Sequence, residues 1–146
     1  MKIGFASDHR GYKLKQELIE HLKEEYDVVD FGTDSEESTD YPEYAILLGE
    51  NVSNKKVDFG VAICGSGIGI SIACNKVLGI RCAKVSTADE AEITRVDNDS
   101  NIVAFSEKTT FLDALNIVKT FISTEHLPVK KHDRRINKIK EYEETH

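Results

Sequence analysis

The chain has 146 residues, 40% hydrophobic and 31% charged, with a formal net charge of −7. That length suits one domain, residues 1–146, with a core of its own, and the composition is that of a globular rather than a disordered or fibrous chain. The negative balance argues against nucleic acid or an anionic membrane as partner, so an anionic ligand needs a local positive site.

Residues 3–6 (Ile-Gly-Phe-Ala) read as a first strand, and Leu14, Leu18, Ile19 and Leu22 recur at the spacing of a first helix. Residues 27–31, with Val28 and Val29, read as a second strand, and 44–52 as a helix started near Pro42. Residues 59–64 predict a third strand, 68–76 a third helix and 80–85 a fourth strand. Thr87 is placed to cap a helix running to about Val96. Residues 101–105 make the fifth strand and 111–122 the fifth helix. Beyond Pro128, a basic run (Lys130-Lys131-His132-Asp133-Arg134-Arg135) leads into Ile136, Ile139 and Tyr142, spaced as a short amphipathic helix.

Short, nearly all-apolar strands separated by helices indicate βαβ units and a parallel sheet. Five of them with right-handed crossovers give a three-layer α/β/α, Rossmann-like sandwich. Ligands in such sheets bind beyond the carboxyl ends of the strands. That edge is expected to carry Ser7-Asp8-His9, Gly32-Thr33 and Cys64-Gly65-Ser66, and Asp97-Asn98-Asp99, before the last strand, is counted with them. The final helix comes after the sheet is complete, so it folds back or packs on a second subunit. The N-terminus lacks the apolar stretch of a secretory signal, and no apolar run approaches the ~20 residues of a bilayer span. Cys64, Cys74 and Cys82 form no CxxC pair and read as free thiols, so a cytoplasmic protein is expected.

Residues 61–73 carry the clearest chemical signal: an apolar run ends in Cys64, then Gly65, Gly67 and Gly69 alternate into an apolar helix. Backbone amides at such a turn can cradle an anion, and a thiol beside a helix start can work as a base. A dinucleotide fingerprint would need glycine at Ile70, and a Cys-x5-Arg phosphatase loop would need arginine there. A P-loop would need Gly-Lys-Ser/Thr, and a nucleophile elbow around Ser66 would need glycine at Cys64. Neither a nucleotide cofactor nor a metal is expected, since no His/Cys/Asp/Glu group has ligand spacing.

Each candidate has a plainer reading. Asp8 could simply cap a helix beside a surface His9, and Cys64 could be a small core residue, as Cys74 and Cys82 are expected to be. Asp97-Asn98-Asp99 has the composition of a helix end, and a basic run is usually a solvated tail. Lys131 and Arg135, four apart, share a helical face that suits phosphate.

Taken in order and spacing, Asp8-His9-x-Gly11, Asp40-Tyr41-Pro42, residues 64–73, Asn75-Lys76 with Gly79-Ile80-Arg81, and Asn98-Asp99-x-Asn101 resemble the type B ribose-5-phosphate isomerase family, which also contains the galactose-6-phosphate isomerase subunits. Arg134-Arg135-Ile136-x-x-Ile139 is similar to that family's C-terminal helix, so the resemblance spans essentially the whole chain. It implies metal-independent aldose–ketose isomerisation of ribose 5-phosphate and ribulose 5-phosphate through an enediolate, in a homodimer with active sites between subunits. By the same resemblance Cys64 is the carbon base and Ser66 handles hydroxyl protons. The amides of Gly65, Ser66, Gly67, Ile68 and Gly69, with Asn98, hold the enediolate oxygens. Asp8 binds the sugar with His9 near it, and Lys108, Lys131 and Arg135 take the phosphate.

Two departures stand out. Asp97 occupies the place where the family usually has a ring-opening histidine, and a carboxylate is a poor proton donor at neutral pH. Lys108 and Lys131 replace frequent arginines, keeping charge but losing the bidentate fork. Isomerisation of a hexose 6-phosphate of the galactose or allose type, or sugar-phosphate binding with weak catalysis, are the alternative expectations. Pairing of dimers into tetramers is left open by the sequence.

Overall fold

The computed structural model describes residues 1–146. In chain order the elements are β1 (Lys2–Ser7), α1 (Tyr12–Leu22), β2 (Asp27–Asp30), α2 (Tyr41–Ser53), β3 (Phe59–Cys64), α3 (Ile68–Cys74), β4 (Cys82–Lys84), α4 (Ala88–Asn98), β5 (Ile102–Ser106), α5 (Phe111–Ser123) and α6 (Lys130–Thr145). All strand pairs are parallel, in the order β2-β1-β3-β5-β4. The expected three-layer sandwich is present. No helix is long and apolar enough to cross a membrane.

The two faces of the sheet differ in side-chain size. Ile3, Phe5, Val61, Ile63, Val103 and Phe105 pack with Leu14, Leu18, Ile117 and Phe121 of α1 and α5. The other face presents Ala6, Ala62 and Ala104 to Leu48, Val52, Ile70 and Cys74 of α2 and α3. Small residues there let the second pair of helices sit close. Residues of β1, β3 and β5 alternate between these two cores, so the strands read as continuous apolar runs.

Edge elements depart most from expectation. The strand expected over 80–85 shrinks to Cys82–Lys84, and the helix expected to reach residue 76 stops at Cys74. Asn75 joins the two. Its Nδ2 donates to the Cys82 carbonyl at 2.9 Å and its Oδ1 accepts from Cys82 N–H at 2.7 Å. The side chain thus supplies the pairing that the free side of β4 lacks. Thr87 does cap α4, its Oγ1 accepting from Glu90 N–H at 3.2 Å.

Sheet order places the functional loops. Successive strands are added on opposite sides of β1, so the crevice at the β1/β3 switch point is where such sheets bind ligands. The turns after β1 and β3 meet there, with Asp8 N–H donating to the Ile63 carbonyl at 3.3 Å. One expectation is corrected: Asp97-Asn98-Asp99 is not at that edge. It closes α4 and leads into the amino end of β5, while Cys64 pairs with Ser106 at the carboxyl end. Five strand residues at ~3.3 Å each put about 17 Å between the two edges of one chain.

Candidate active site

At the β1/β3 crevice, Asp8 Oδ1 accepts the backbone N–H groups of Arg10 and Gly11, both at 3.0 Å, and the residue is buried. Asp8 thus closes the turn that leads into α1 rather than capping the helix, whose N-cap is Gly11, and it uses one oxygen only. His9 Nδ1 lies 3.2 Å from both the amide nitrogen and the carbonyl oxygen of Thr39. Either tautomer leaves Nε2 for a ligand.

The cysteine loop is more constrained than its glycines suggest. Cys64, 4% exposed, ends β3, and its Sγ accepts the Gly67 N–H at 3.2 Å. Ser66 Oγ accepts the Ile68 N–H at 3.1 Å. Two of the five amides expected to hold an oxyanion are thus engaged within the loop. Those of Gly65, Ser66 and Gly69 donate to nothing in the chain. From the β5 side, Ser106 Oγ donates to the Gly65 carbonyl at 2.7 Å and Glu107 N–H to the Cys64 carbonyl at 2.9 Å. Lys108 follows on the same turn, its N–H donating to Ser106 Oγ at 3.0 Å. Asp8, His9, Cys64, Ser66 and Lys108 are therefore brought to one crevice.

The second group lies at the other edge. Asn98 Oδ1 accepts from Thr94 Oγ1 at 3.1 Å. Arg81 straps the turn, donating from Nε to the Asn98 carbonyl and from Nη2 to the Asp99 carbonyl, each at 2.9 Å. Asp97 faces α6, its Oδ1 3.4 Å from His132 Nε2. α6 also carries Lys131 and Arg135. Asp97, Asn98, Lys131 and Arg135 thus share one end of the chain, away from Cys64.

A family model described as ribose/galactose isomerase matches residues 3–139. The chain belongs to that family. It is 42% identical to the putative sugar phosphate isomerase YwlF of Bacillus subtilis, over 99% of this chain and 98% of that protein. Ribose-5-phosphate isomerase B of Clostridium thermocellum superposes with a TM-score of 0.95 at 44% identity, covering 99% of both chains. The Mycoplasma genitalium ribose-5-phosphate isomerase B, solved with bound ribulose 5-phosphate, superposes with a TM-score of 0.91 at 36% identity, covering 98% of this chain and 96% of that one.

Three features of this family member escaped the sequence. Arg10 lies against the cysteine loop, its Nε 3.2 Å from where a Cβ on Gly65 would stand, and its Nη2 pairs with Glu107 Oε1 at 3.2 Å. That pair holds the Arg10 guanidinium above its ordinary pKa. Arg81 shapes the Asn98 turn. His132 stands beside Asp97. Arg10 and Arg81 have no local signal, because their partners come from distant segments, whereas His132 stands in the basic run.

Proposed function

We propose that the chain interconverts ribose 5-phosphate and ribulose 5-phosphate through an enediolate, in sites each built from two copies of the chain. The observation that carries this reading is the set of free amides at Gly65, Ser66 and Gly69 in the loop that follows Cys64. A carbon next to a carbonyl is weakly acidic, and preorganised donors at the developing oxyanion are each worth ~3–4 kcal/mol. Cys64 thiolate takes the C2 proton of the aldose and returns it to C1. Ser66 Oγ carries the hydroxyl proton between O2 and O1. Asp8 Oδ2 and His9 Nε2 hold the sugar.

Asn98, Lys131 and Arg135 complete the site from the partner copy, since one chain keeps them at the opposite edge of its sheet. With Lys108 they bind the oxyanion and the phosphate, whose remote binding energy orients the reacting carbons. Asp97 opens the ribose ring together with His132, whose imidazole supplies the N–H that a carboxylate lacks. The homodimer is part of this proposal.

The test is exchange chemistry. Ribulose 5-phosphate is incubated with the protein in deuterated water with EDTA, and NMR follows deuterium at C1 and C2. Exchange in the native protein that is lost in Cys64→Ala is expected. Exchange that persists in Cys64→Ala, or is seen only with a hexose 6-phosphate, overturns the reading.

A further inference from the structure

α6 is thinly held: only Ile136 of its residues is buried. Residues 124–129 lead into it from α5, and His126 in that crossing uses both ring nitrogens. Nδ1 is 2.7 Å from the Val96 carbonyl oxygen and Nε2 is 2.7 Å from Asp133 Oδ1. Both partners are acceptors. A neutral imidazole has one N–H and would turn a lone pair toward one of them; only imidazolium donates to both.

The two acceptors belong to helix ends of suitable sign. Val96 is in the last turn of α4, where carbonyls lack intrahelical partners and favour a cation. Asp133 is in the first turn of α6, where a carboxylate is favoured. Other charged groups meet at the same junction. Asp99 adds its carboxylate from the turn after α4, and Arg95 donates from Nε to the Thr124 carbonyl at 3.0 Å and from Nη1 to Asp99 Oδ1 at 2.9 Å. The Asp97–His132 contact is the next one along α6.

We propose that His126 is a positioning residue: as a double donor between Val96 and Asp133 it fixes how α6 sits against α4, and so where Lys131 and Arg135 meet the substrate phosphate. This rests on the assignment of Lys131 and Arg135 to phosphate above. The Asp133 hydrogen bond, helped by the Val96 carbonyl and Asp99 and opposed by burial, holds the ring above the ordinary histidine value. A raised value means the bridge is complete below the ordinary value and is lost as pH rises through the raised one. Alkaline pH therefore loosens α6.

Steady-state KM and kcat for ribulose 5-phosphate are measured between about pH 6 and pH 9 for the native protein, His126→Gln, Asp133→Asn and Lys131→Ala. At the acid end His126→Gln raises KM about three- to tenfold over native, the reach of a partly buried charge at a helix end, and the ratio falls toward one at the alkaline end. kcat stays within about twofold, because the reacting groups are untouched. Asp133→Asn is the informative variant. Its side-chain N–H can donate to a neutral Nε2 while Nδ1–H serves Val96, so its KM stays low at alkaline pH. A His126→Gln to native ratio of KM that does not change with pH, or a loss in kcat alone, overturns the proposal. If Lys131→Ala leaves KM unchanged, the phosphate assignment itself has failed.

Discussion

Gly67 offers the sharpest test of the loop. Its backbone is left-handed, with φ at +79°, a conformation that costs a residue with a side chain ~1–2 kcal/mol. A methyl group there would meet the carbonyl carbon of Phe105 at 2.6 Å and its Cα at 2.8 Å. These are backbone atoms of a central strand, so the loop must move, and overfilling of this kind costs a further ~1–3 kcal/mol. Gly67→Ala is therefore expected to lose about 2–5 kcal/mol, against a total stability of about 5–15 kcal/mol. For a chain of this size that lowers Tm by roughly 4–20 °C. Activity should fall further. The Gly67 N–H fixes Cys64 Sγ, and a misplacement of about 1 Å costs on the order of 100-fold. Calorimetry and kcat/KM with ribulose 5-phosphate measure the two effects. Gly69→Ala is the control for stability: its methyl would meet the ring of Tyr41 at 2.7 Å, a side chain at the start of α2 that can swing aside. Equal melting of the two variants, or near-native activity in Gly67→Ala, would refute this account of the loop.

Lys15 is fully buried, with Nζ 2.7 Å from Asp30 Oδ1. Asp30→Ala leaves that ammonium with Gln16 Oε1, at 2.8 Å, but no counter-charge, and should cost about 2–3 kcal/mol in urea denaturation, while Lys15→Met should stay within about 1 kcal/mol of native; the reverse order would sink the argument. Ser7 Oγ is the buried side-chain oxygen without a partner, so Ser7→Ala should be neutral or slightly stabilising, and a loss above ~1 kcal/mol would contradict that. His132→Gln should slow ring opening alone. The rate from ribose 5-phosphate would then stop rising with protein concentration once ring opening in solution limits it, while the rate from ribulose 5-phosphate, which forms no such ring, keeps scaling. Equal scaling in both directions would remove His132 from that step.

The central strands were legible because burial on both faces leaves an unbroken apolar run; β3 spans Phe59–Cys64 as expected. Edge elements were not, since β4 has a strand on one side only and on its free side is partnered at Cys82 by a side-chain amide from Asn75. Within the site, the Cys64 loop declared itself through its glycines, but which amides stay free depended on where Sγ and Ser66 Oγ settle. The Asp97 turn was placed at the wrong edge because its sequence distance from β5 is short. In a parallel sheet, a residue just before a strand lies at the far end from one just after it. Arg10–Glu107 and His126–Val96 join segments 97 and 30 residues apart, and no local pattern encodes them.

Those opposite edges have a genetic reading. If Cys64 of one copy works with Lys131 of another, two defective alleles can rescue each other. Chains with Cys64→Ala mixed with chains carrying Lys131→Ala form hybrids in which one site collects both lesions and the other collects neither. Random pairing makes about half of the dimers hybrids, each with one intact site of two, so about a quarter of native sites return from two parents that have no intact site. A lesion pair on the same edge, Cys64→Ala with Ser66→Ala, leaves every site damaged and restores nothing.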